Sequence, residues 1–89
     1  MYIIVIEGRD RGAYSIKLSN GITVLQIFED INDAERYAYL LESEGFPKLE
    51  IIEIVYEQVV NICKKFGYYY TIIKLNDFVI PPLKNYDFI

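Results

Sequence analysis

Apolar positions change their period several times along this 89-residue chain, and each period predicts an element. Tyr2 to Ile6, YIIVI, is an unbroken apolar and mostly β-branched run, which suits a central strand buried on both faces. Ala13 to Ser19 and Ile22 to Phe28 flank Asn20 and Gly21, so they predict a hairpin closed by a two-residue type I′ turn. In the second of these runs both alternating sets carry apolar residues, the mark of an interior strand. The period then lengthens: Ile31, Ala34, Tyr37, Ala38 and Leu41 recur at steps of three and four and form one helical stripe. Asp30 or Asn32 serves as the cap, Asn32 with Glu35 making a capping box, and the two alanines imply close approach to a sheet. Gly45 predicts a left-handed stop near Glu44 that places Phe46 against Leu41, and Pro47 prevents continuation.

Leu49 to Val55 reads as a strand, with Glu50 and Glu53 on opposite faces, so at least one face is partly open. A second helix is expected over Glu57 to Phe66, with Tyr56, Val59, Ile62, Cys63 and Phe66 as its core stripe and Gly67 as its stop. The two helices end alike, LLESEGF and CKKFGY, each before a β-rich run. Tyr68 to Leu75 is the next strand, followed by a turn at Asn76 and Asp77, a short FVI, the pair Pro81 and Pro82, and an extended tail over 83–89. These elements predict one α+β domain over 1–89. Its expected form is a two-layer sandwich of a mixed sheet of about five strands and two helices on one face, in the order β-β-β-α-β-α-β plus a short final strand.

Composition narrows the function. A chain that is 53% hydrophobic at this length builds one core and not two. Its net charge of −4 disfavours nucleic acid, which draws on clustered Lys and Arg. KKFGYYYTI resembles the aromatic strand of RNA-recognition domains, but Lys65 meets Phe66 without the glycine that strand requires. No apolar run approaches the roughly 20 residues of a membrane span, and the expectation is a soluble, intracellular protein. The loop Glu7 to Ala13 has two glycines without GxxxxGK[ST] or GxGxxG, and a strand follows it where a phosphate motif needs a helix. Glu29, Asp30, Asp33 and Glu35 surround a helix start, where capping and the helix dipole account for them without a metal. Cys63 lies on an apolar stripe in a chain with no histidine to activate it. No catalytic residue, cofactor or metal is expected.

The block FEDINDAERYAYLLESEGFP, carried by Phe28, Glu29, Asp30, Asp33, Ala34, Arg36, Tyr37, Ala38, Leu40, Leu41, Glu42, Phe46 and Pro47, together with a closing VIPP, resembles a small domain-of-unknown-function family of cyanobacteria and plastids. The family pattern reads FEDxxDAxRYAxLLExxxFP. The chain departs from it in having no histidine, and in reading IVYEQ at the start of the second helix. The resemblance implies a photosynthetic lineage and a cytoplasmic or stromal setting, and brings no activity, cofactor or catalytic residue.

The expected function is a non-enzymatic protein-interaction or assembly module. Three consecutive tyrosines on a strand expose side chains on both faces, and tyrosine is favoured at interfaces for its apolar body and polar tip. The candidate interaction surface is Tyr69, Tyr70, Tyr86 and Phe88, with an unidentified protein as partner and a homodimer left open. The alternative is a small-molecule-binding regulatory domain with a pocket at the sheet edge or a dimer seam. An enzyme or an RNA-binding domain ranks behind both.

Overall fold

The computed structural model of the chain describes residues 1–8, 12–74 and 86–89. Its elements follow the expected order: β1 (Tyr2–Ile6), β2 (Tyr14–Lys17), β3 (Thr23–Phe28), α1 (Ile31–Ser43), β4 (Leu49–Glu53), α2 (Tyr56–Phe66), β5 (Tyr69–Ile73) and β6 (Tyr86–Phe88). The class is α+β, with a mixed sheet. Five strands run in the order β4-β1-β3-β2-β6 through antiparallel pairings, and β5 joins β3 in parallel, from Val24 opposite Tyr69 to Phe28 opposite Ile73. β3 is thus interior, as its two-sided apolar pattern requires, and β1 lies between β4 and β3.

Side-chain alternation sorts the core into two clusters. Ile4, Tyr14, Phe28, Leu49 and Ile73 point to one face, where they pack on Ala34, Tyr37, Ala38 and Leu41 of α1. Ile3, Leu25, Ile27, Tyr70 and Ile72 point to the other, where they meet Val59 and Cys63 of α2. The two helices therefore lie on opposite faces of the sheet. The expected arrangement of both helices on one face, in two layers, is corrected here: a strand apolar on both sides needs cover on both sides.

Local details agree with the sequence at one helix end and revise it at the other. α1 is capped by Asp30, whose Oδ1 accepts from the Asn32 N–H at 2.7 Å, rather than by an Asn32–Glu35 box. At its C-terminus the Gly45 N–H reaches the Glu42 carbonyl and the Phe46 N–H the Leu41 carbonyl, with Gly45 at φ +96°, which is the predicted Schellman cap. α2 ends in the same way, through the Tyr68 N–H and the Cys63 carbonyl at 2.8 Å.

The β2–β3 hairpin has a three-residue loop in place of the expected type I′ turn. Leu18 pairs with Ile22, the Gly21 N–H closes on the Leu18 carbonyl, and Asn20 Oδ1 accepts from the Ile22 N–H. That side-chain bond favours a turn ending in glycine at positive φ over one with two left-handed residues. The end of the chain is a sixth strand and not a free tail, since Tyr86 to Phe88 pair with β2 and Ile89 exchanges backbone hydrogen bonds with Ala13. The turn at Asn76 and Asp77, the FVI run, Pro81 and Pro82, and Arg9 to Arg11 lie outside the described residues.

Candidate interaction surface

Tightness on the α1 face is set by rings. Tyr37 stands edge-on to both Tyr14 and Phe28, with centroids 5.5 and 5.1 Å away, and Tyr14 meets Phe88 at 5.7 Å. The Tyr37 hydroxyl donates to Tyr14 Oη at 3.4 Å, so these buried polar atoms satisfy one another. Burial holds both phenols neutral by pushing their pKa values upward, and in Tyr37 the shared hydrogen bond adds to the rise. Phe46, delivered by the α1 cap, extends the cluster to Tyr86 at 4.5 Å.

From this cluster a cross-strand row runs out over the same face. Tyr86 sits opposite Ile16, Ile16 opposite Val24, and Val24 opposite Tyr69, so four apolar side chains cross four strands in register. The row spans about 14 Å, three strand spacings of about 4.8 Å. Tyr69 at one end is 60% exposed, Tyr86 at the other is 43% exposed with its ring against Phe46, and Ile16 and Val24 are half-buried.

The four residues singled out in the sequence thus separate. Tyr69 and Tyr86 share this row. Phe88 is half-buried in the aromatic cluster, one step along β6, and serves the core. Tyr70 points to the α2 face, where its hydroxyl accepts from Tyr56 at 3.3 Å and the two rings meet edge-on. That bond raises the Tyr56 pKa.

Two residues assigned by periodicity to the core of α2 are instead uncovered. Ile62 is 54% and Phe66 61% exposed, with Phe66 stacked on Tyr68. Val60 is buried, from outside the predicted stripe. Cys63 is buried as expected, and desolvation raises its pKa, which keeps the thiol protonated. Among the described residues no cluster of three or more His, Cys, Asp or Glu is placed to hold a metal ion, and no helix is long and apolar enough to cross a membrane.

Among the described residues, a six-stranded mixed sheet with one helix on each face and an apolar row on the face of the first helix defines a small α+β domain. Residues 1–83 match the family described as domain of unknown function DUF3110, and the chain belongs to it. Comparisons with curated proteins and with solved structures return no match. The family match ends before β6, the strand that supplies Tyr86 and Phe88.

Proposed function

We propose that the protein is a non-enzymatic interaction module that takes a protein partner on the row Tyr86–Ile16–Val24–Tyr69. The observation that carries this reading is the register itself: two tyrosines, 60% and 43% exposed, flank two half-buried aliphatic residues across four paired strands. Such a surface offers aromatic anchors with little side-chain entropy to lose. The chemistry of the interior supports the same reading. Tyr14, Tyr37 and Cys63 are held in their neutral forms by burial, and neutral hydroxyls and thiols are poor nucleophiles. The resemblance of the Phe28 to Pro47 block to cyanobacterial and plastid sequences supports a photosynthetic cell, and a cytoplasmic or stromal compartment, as the setting.

The test is affinity purification from such a cell with the double variant Tyr69→Ser, Tyr86→Ser beside the parent, with partners identified by mass spectrometry. The variant is expected to stay folded and lose specific partners; Tyr69→Ser alone should melt within a few degrees of the parent, since that side chain is 60% exposed, while Tyr86→Ser also removes a ring contact with Phe46. Full retention of every partner contradicts the reading.

A further inference from the structure

The α2 face carries a different feature, and its chemistry is distinct from that of the tyrosine row. α2 is tied to β5 at its start by the Tyr56–Tyr70 hydroxyl contact, and its finish is tied off by its own cap, the Tyr68 N–H on the Cys63 carbonyl. Between these ties its apolar stripe stands away from β1 and leaves an open cavity of about 520 Å³. Leu25, Ile3 and Val5 line it from the sheet, and Val59, Cys63 and Phe66 from the helix.

We infer that this cavity is a binding site for an uncharged, apolar small molecule. The volume falls in the usual range for small-molecule sites, about 300 to 1,000 Å³. The absence of charge follows from the lining. A quarter of the chain is charged, yet among the described residues none of the twelve that line the cavity is Asp, Glu, Lys or Arg. An anionic ligand entering here loses its hydration and finds no cation among the described lining residues to replace it, and the nearest carboxylate by register, Glu50 opposite Val5, repels it. The Cys63 thiol, kept protonated by the same desolvation, adds polarity without charge. The exposure of Ile62 and Phe66, which periodicity assigns to a core, follows as well, because a ligand in the cavity supplies the apolar contact that the sheet does not.

The experiment titrates the full chain with the uncharged fluorescent probe N-phenyl-1-naphthylamine, follows backbone amides by NMR, and adds decan-1-ol or decanoate as competitor. Three variants accompany the parent: Val59→Phe, which fills the cavity, Ile62→Glu, which places a charge at its mouth, and Tyr69→Ser, which lies on the opposite face. The expected result is saturable one-to-one binding that shifts the amides of Leu25, Val59 and Cys63. Binding should weaken at least tenfold in the first two variants and stay unchanged in the third, with decan-1-ol displacing the probe at least tenfold better than decanoate. Because the Tyr69 variant probes the protein-binding reading separately, failure of one reading is distinguishable from failure of the other. Non-saturable uptake, equal binding by parent and Val59→Phe, or a dimer that excludes the probe and dissociates in Ile62→Glu overturns the proposal.

Discussion

One sheet carries two helices of similar length, thirteen residues for α1 and eleven for α2, and treats them differently. Against α1, Ile4, Tyr14, Phe28, Ala34, Tyr37 and Leu41 lose essentially all contact with solvent. On the α2 side the buried apolar residues are Val5, Leu25, Ile27, Val60 and Cys63, and a cavity remains. The cause is placement. α1 packs on β4, β1 and β3, and lowers two alanines onto the sheet so that its large residues interlock with large ones opposite. α2 packs mainly on β5, at the side of the sheet, so half of its stripe overhangs. α2 is the more amphipathic helix and yet the less buried one, because burial depends on where the helix lands.

The sharpest way to break this comparison is a matched truncation. Tyr37→Ala removes a fully buried ring and should cost about 3 to 5 kcal/mol in a urea titration. Ile62→Ala, of the same periodic class on α2, should cost less than about 0.5 kcal/mol, since its side chain is already half in water. Equal losses would erase the distinction between the faces. Next in size, Ala38→Leu forces extra volume beneath α1 and should destabilise by roughly 1 to 3 kcal/mol; unchanged melting would mean that the helix does not lie as close as its alanines imply.

The buried tyrosine pair sharpens the comparison through pH. The folded pKa values of Tyr14 and Tyr37 lie above the ordinary value near 10, so below that pH both states keep their protons and stability is insensitive to these groups. Above about pH 10 the unfolded chain releases protons that the folded chain retains, and stability falls as the pH rises. Tyr37→Phe should reduce that alkaline slope in urea titrations from pH 9 to 11. A slope independent of this substitution contradicts the burial assigned to the pair.

Much of the α1 side was legible in the sequence because its determinants are local. Ala34, Tyr37, Ala38 and Leu41 repeat at helical spacing, Asp30 is a strong cap residue, and Gly45 followed by Phe46 specifies the stop and the ring that leaves it. The α2 side was not, since periodicity reports that Ile62 and Phe66 share a stripe with Cys63 and is silent on whether a sheet lies beneath them. The tyrosine row was half legible. Alternation along β5 separates Tyr69 from Tyr70, but its alignment with Tyr86 depends on the parallel pairing of β5 with β3 and on β6 docking beside β2. Those are long-range pairings that no local signal encodes. The side of the sheet taken by each helix is of the same kind, which is why the opposite-face arrangement emerged from the coordinates.

The division of labour between the faces is tested most directly by native-state hydrogen exchange, which reads local opening free energies residue by residue. Amides of Tyr37, Ala38 and Leu41 in α1 should exchange only through global unfolding. Those of Val60, Ile62 and Cys63 in α2 should open at a free energy lower by at least about 1 kcal/mol, and should gain protection when the naphthylamine probe is bound. Equal protection of the two helices in the free protein, or no change in α2 on adding the probe, would contradict the account.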